Sequence, residues 1–147
     1  MPFLRFLFFF FLVSVALNFG WEISQMSLYS FSGVSFSGYD AFVKAHWISA
    51  VKDALMCAGL YVLVAIFTRN AGWGKRFTNQ RLVFLESFGF MWAVAVEYQG
   101  VMVRHAWAYA KAMPLLPGLN VGIVPVLQMM VVPLVGILLV RKQLSDK

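Results

Sequence analysis

Residues 82–107 read LVFLESFGFMWAVAVEYQGVMVRHAW, and this stretch decides the fold. It is long enough to cross a bilayer as a helix, yet Glu86 and Glu97 lie inside it. At about 100° per residue both carboxyls fall on one helical face, close to the small residues Ala93 and Gly100. A carboxylate facing hydrocarbon is costly unless it is protonated, paired or next to a wet cavity. We therefore interpret this face as turned toward other helices, where the carboxyls serve either chemistry or structural hydrogen bonds.

The composition indicates an integral membrane protein. Of the 147 residues, 61% are hydrophobic and only 12% are charged, which is too little charge for a soluble domain of this size. Several apolar runs have membrane-spanning length. Cys57 is the only cysteine, which excludes an intramolecular disulfide. The cysteine and histidine spacing is not that of a metal site, and the sequence predicts neither a metal nor a cofactor.

The predicted fold is an all-α integral membrane protein, a four-helix transmembrane bundle that forms one domain over residues 1–147. Its helices are expected at approximately 3–20, 46–68, 82–105 and 120–140. The charged start and apolar core of the first segment are also compatible with a cleaved signal peptide. Residues 27–44 contain many serines, glycines and aromatics, and they are predicted to form a loop at the membrane interface.

The placement of charge predicts the orientation in the membrane. With four spans, the side with both termini and the connector 69–81 carries a net charge of +6, and the opposite side carries none. The positive-inside rule then places both termini in the cytoplasm, and we expect a bacterial cytoplasmic membrane. The same distribution of charge explains why the chain is basic, so no nucleic-acid partner is expected.

Polar residues of all four predicted helices fall in the outer half of the membrane, where they should converge on an outward-facing pocket. The candidates for acid–base catalysis are Glu22, Asp53 and Glu97, and the first two are expected to approach each other. The residues expected to bind a ligand around them are Asn18, Trp21, Gln25, His46, Trp47, Tyr98, Arg104, His105, Trp107 and Gln128. A structural ion-pair network that includes Arg104 is the alternative.

Glu86 stands apart from this group, about one turn from the cytoplasmic interface. A neighbouring Arg81 is expected to neutralise its charge there. Glu97 is therefore expected to matter more for function than Glu86.

One local pattern resembles a known family. Asn18-x-x-Trp21-Glu22, followed by Trp47 and Asp53, is similar to the motif of the small integral-membrane terpene cyclases of fungal meroterpenoid and paxilline pathways. The resemblance implies that buried acids protonate an isoprenoid epoxide or olefin, and Glu22 is the matching acid. It covers a minor part of the chain, which lacks the additional helices of that family.

These observations favour a membrane protein that binds a small hydrophobic, isoprenoid or lipid-like molecule in a polar pocket. Whether it also converts that molecule by acid–base chemistry stays open. One alternative is a non-catalytic subunit or assembly factor of a larger membrane complex. Another is a small proton-coupled transporter that uses Glu86 and Glu97. The partners expected are a membrane lipid or hydrophobic ligand and further protein chains, in a homo-oligomer or a larger membrane complex.

Overall fold

The computed structural model describes residues 3–30 and 38–145, and its architecture is helical. The four long helices are α1, Phe3–Gln25; α2, Tyr39–Phe67; α3, Asn79–Tyr98; and α4, Ile123–Ser145. The all-α class predicted from the sequence is thereby confirmed. Within the described residues, three segments are long and apolar enough to cross a membrane, namely Phe3–Leu28, Val43–Phe67 and Ile123–Gln143. α3 is not among them, since it has a polar first turn and two carboxyls.

Several predicted boundaries were wrong. α1 runs on to Gln25, and α2 begins at Tyr39, within the predicted loop 27–44. Residues 31–37 of that loop lie outside the described part of the chain. α3 ends at Tyr98 and continues as one π-helical turn, Gln99–Val103. α1 is longer than predicted because its last polar side chains hydrogen bond inside the bundle.

α1 packs against both α2 and α4, and α3 packs mainly against α4. Phe10, Leu60, Leu85 and Ile137 are fully buried where these helices meet. The connector between α2 and α3 is held to the bundle by Trp73, whose Nε1 donates to the backbone oxygen of Tyr61 at 3.0 Å. The basic connector between α2 and α3 is therefore packed against the helices.

α3 and α4 approach each other closely where Gly89 faces the backbone one turn before Pro133. Pro133 lies inside α4 and has no N–H, so the carbonyl of Met129 one turn earlier loses its helical donor. That carbonyl faces Gly89 of α3, where a Cβ atom would lie only 2.6 Å from the Met129 oxygen. The glycine lets the two backbones touch at this point.

A short antiparallel ladder closes the other end of the bundle. Strand β1, Tyr29–Ser30, follows α1, and strand β2, Ala108–Tyr109, follows the π turn. Tyr29 pairs with Tyr109, and their ring centroids lie 5.7 Å apart. The ladder therefore brings two tyrosines to the end of the bundle where α1 and α3 finish.

Candidate functional site

A network of buried amides joins α1, α2 and α4. Gln128 of α4 is only 2% exposed, and its Nε2 donates to Oδ1 of Asn18 at 2.9 Å and to Oδ2 of Asp53 at 3.0 Å. Its Oε1 accepts from Nε2 of Gln25 at 3.0 Å. Gln128 thus forms hydrogen bonds with side chains of two other helices. These four residues, all predicted for the pocket, do meet at one place.

Two carboxyl groups lie beside this network. Nε2 of Gln25 also donates to Oε1 of Glu22 at 3.0 Å. The side chains of Glu22 and Asp53 lie next to each other, so the prediction that they approach each other is confirmed. Two ionised carboxylates in contact repel strongly where water is scarce, and a hydrogen bond between two carboxyls requires a proton on one of them. The geometry therefore suits a pair that shares one proton.

Glu97 provides a third carboxyl. It is 8% exposed and points inward on the stripe with Ala93 and Gly100, which are buried as predicted. Its Oε2 accepts from Nε1 of Trp107 at 3.2 Å and from the hydroxyl of Tyr109 at 2.6 Å. Glu97 also lies near enough to Glu22 for their charges to interact. The three predicted acids are therefore neighbours.

The tyrosines of the β ladder complete the surroundings of these acids. Burial raises the pKa of Tyr29 above its ordinary value, and the charges of Glu97 and Glu22 raise it further. Burial likewise raises the pKa of Tyr109, as does the hydrogen bond that it donates to Glu97. Both phenols thus stay protonated and available as hydrogen-bond donors.

Sequence reasoning missed Tyr29 and Tyr109. They lie outside the helices, where helical periodicity says nothing about the direction of a side chain. The only signal was their position next to helix ends that carry predicted acids. Their pairing across about 80 residues is a tertiary contact.

Trp107 reaches Glu97 because the chain folds back over Gly100. The π turn ends at Val103, and the backbone N–H of Ala106 then donates to the carbonyl of Gly100 at 2.8 Å. The Trp107 ring lies directly on Gly100, where a Cβ atom would overlap it. A glycine is therefore required under the indole that binds Glu97.

Two predicted pocket residues lie elsewhere. Arg104 and His105 are exposed; Arg104 donates to Oε1 of Gln99 at 2.7 Å, and Nδ1 of His105 lies 3.0 Å from the carbonyl oxygen of Val101. The change from α to π geometry after Tyr98 turns these side chains away from the bundle. Their assignment to the pocket was wrong, and so was the proposed ion-pair network with Arg104.

The remaining predicted ligand-binding residues divide into two groups. Tyr98 and Trp47 are each 51% exposed, and Trp47 packs against Phe19. Neither residue therefore lines the acidic cluster formed by Glu22, Asp53 and Glu97. His46 is buried, and Trp21 packs against the apolar core with its Nε1 buried. Of these four residues, only His46 and Trp21 lie inside the bundle.

The expected partner of Glu86 is engaged elsewhere. Nη1 of Arg81 donates to the backbone oxygen of Arg76 at 2.7 Å. Within residues 3–30 and 38–145, the buried Oε1 of Glu86 has no hydrogen-bond partner. The prediction that Arg81 neutralises Glu86 was wrong, because the arginine instead binds the connector from which it emerges.

A separate apolar groove of about 360 Å³ lies between α2 and α3. It is lined by Leu63, Phe88, Met91, Trp92, Ala95, Val96 and Gln99. At 100° per residue, its α3 residues face away from Glu97. The groove and the acidic cluster therefore lie on opposite sides of α3. No group of three or more His, Cys, Asp or Glu in the described ranges is arranged to hold a metal ion.

The described residues define a class: a mainly helical protein that has three helices long and apolar enough to cross a membrane and the neighbouring carboxyls of Glu22, Asp53 and Glu97 among its helices. Comparison of the chain with protein-family models, with curated proteins and with solved structures finds no match.

Proposed function

We propose that this chain is an integral membrane protein that binds a small hydrophobic, isoprenoid or lipid-like molecule at the acidic cluster and converts it by proton transfer. The observation that supports the proposal is the contact between Glu22 and Asp53, with Glu97 nearby, inside an apolar bundle. Two carboxyls in contact retain one proton at neutral pH, and this proton is available for transfer to a substrate oxygen or double bond that is held next to it.

In the proposed step, the Glu22–Asp53 pair gives its proton to the substrate, and the new O–H or C–H bond leaves positive charge on the substrate. The two carboxylates that remain stabilise this charge, and one of them takes a proton back when the product forms. The aromatic faces of Trp21 and Tyr29 add cation–π stabilisation. Glu97 keeps Trp107 and Tyr109 in place and adds negative charge. Each group then has a role that its observed contacts permit.

The proposed topology has α3 as a fourth span and both termini in the cytoplasm, because of the +6 net charge on their side. We expect reporter fusions at Lys147 and at Gly38 to report opposite sides of the membrane. Two reporters are fused at each position, one that is active only in the cytoplasm and one that is active only outside it, and their activities are compared. Both fusions on the same side would exclude the four-span arrangement.

The proposal is tested by a matched pair of substitutions on one face of α3. Glu97→Gln preserves shape and leaves an oxygen to accept from Tyr109, but it removes the charge. Native mass spectrometry of protein purified in mild detergent, with identification of bound lipids, measures the outcome. We expect the ligand of the wild-type protein to bind about 10- to 100-fold more weakly, because the substitution weakens the charged hydrogen bonds, each of about 1.5–3 kcal/mol, that hold Trp107 and Tyr109 at the site.

Glu86→Gln is the control, because Glu86 lies on the same face but outside the cluster. It should retain the bound ligand at the wild-type level. Equal retention by both variants, with both proteins folded, would contradict the proposal and favour a purely structural carboxyl.

A non-catalytic subunit of a larger complex is the second candidate, and the apolar groove between α2 and α3 favours it. A partner helix that filled this groove would leave the acidic cluster untouched. Trp92→Ala, in the groove, would then release the partner, whereas Glu97→Gln would not. The opposite pattern of losses supports the ligand-binding proposal.

A further inference from the structure

Three buried polar atoms on α1 have no hydrogen-bond partner within residues 3–30 and 38–145. They are Oγ of Ser14, Nε1 of Trp21, which is a donor, and Oε1 of Gln25, which is an acceptor. Trp21 and Gln25 are four positions apart, so they lie one turn apart on the same face of the helix. Buried polar groups without a partner are rare in proteins, and each needs an explanation.

The orientation of the Gln25 amide is determined by its neighbours. Its Nε2 donates to Oε1 of Glu22 and to Oε1 of Gln128, both at 3.0 Å. A flipped amide would direct its oxygen at two acceptors, so the unpartnered atom must be the oxygen. Gln25 is 3% exposed, and bulk water therefore has little access to it.

Among the polar groups of membrane lipids, a hydroxyl satisfies both atoms, because it donates to Gln25 and accepts from Trp21. An ammonium would only donate, which leaves the indole N–H of Trp21 without an acceptor. A carboxylate or phosphate would only accept, and it would also be repelled by the acids next to Gln25.

The surroundings indicate what carries the hydroxyl. The Trp21 ring packs against the apolar core, on a helix whose other residues are mainly apolar. A molecule with its polar end at Gln25 therefore has hydrocarbon around the rest of it. We propose that Trp21 and Gln25 bind the hydroxyl of a lipid alcohol. This rests on the proposed function and specifies its ligand class.

Photolabelling of the full-length protein in phosphatidylcholine nanodiscs tests the assignment. The probe is a 16-carbon alcohol with a diazirine in its chain, and the competitors are 1-hexadecanol, hexadecyl methyl ether, hexadecylamine and palmitate. We expect saturable labelling of α1 that 1-hexadecanol suppresses best. The ether should compete about fivefold more weakly, because it cannot donate to Gln25 and loses about one hydrogen bond.

Trp21→Phe retains the ring but removes the donor, so 1-hexadecanol should bind about fivefold more weakly, while its advantage over the ether persists. Trp47→Phe is the matched control, since Trp47 is exposed and lies outside the network. It should leave labelling unchanged.

The outcomes separate the two proposals. Saturable labelling that Trp21→Phe leaves unchanged, or that hexadecylamine or palmitate suppresses better than the alcohol, would overturn the alcohol assignment alone. No saturable labelling of α1, in a protein that also lacks a bound lipid, would overturn the proposed function with it.

Discussion

Replacing Gln128 with leucine is expected to lower the free energy of unfolding by about 2–4 kcal/mol, because buried polar groups that lose their partners each cost about 1–3 kcal/mol. The substitution deprives Asn18 Oδ1 and Gln25 Nε2 of a partner and leaves Asp53 with one donor fewer. Leucine has a similar volume, so no large cavity adds to the effect. Reversible unfolding in mixed detergent micelles, followed by circular dichroism, measures the change.

Gln143→Leu is the matched control, since Gln143 is an exposed residue near the end of the same helix. We expect its effect to stay within about 0.5 kcal/mol, as for most surface substitutions. Equal effects at positions 128 and 143 would show that the amide network adds nothing to the association of α1, α2 and α4.

Replacing Gly100 with alanine is expected to separate Trp107 from Glu97. The added methyl group occupies the space of the indole, and a tryptophan ring cannot bend away as a flexible chain can. We expect a loss of about 1–3 kcal/mol in unfolding free energy, as is typical of overpacking. Trp107 should also become more accessible to a water-soluble fluorescence quencher than in the wild-type protein.

Two further variants make this result specific. Gly20→Ala is the control for a glycine in a helix, because a Cβ atom there meets nothing within 4 Å. It should be neutral or stabilising by about 0.5–1 kcal/mol. In a Trp107→Ala background, Gly100→Ala should become nearly silent. A penalty that persists there would assign the effect to the π turn itself.

The helical residues of the candidate site were predictable to a large extent. Asn18, Glu22, Gln25 and Asp53 recur at helical spacing on otherwise apolar segments, and the cost of burying them in lipid predicts that they face one another. The same reasoning failed for Arg104 and His105. It treated the helix as regular up to residue 105, but the α-helix ends at Tyr98. One change of helical geometry is enough to rotate the residues that follow.

By itself, the sequence determined the helical class, the apolar segments and the faces on which the acids lie, because these follow from composition and a fixed helical period. Only the tertiary structure decided which groups the acids bind. Tyr109 and Trp107 reach Glu97 through a π turn and a two-residue ladder, and neither has a repeating pattern. Gln128 joins the network through contacts with residues 75 and 110 positions away. Such pairings depend on how the helices pack, which no local pattern encodes.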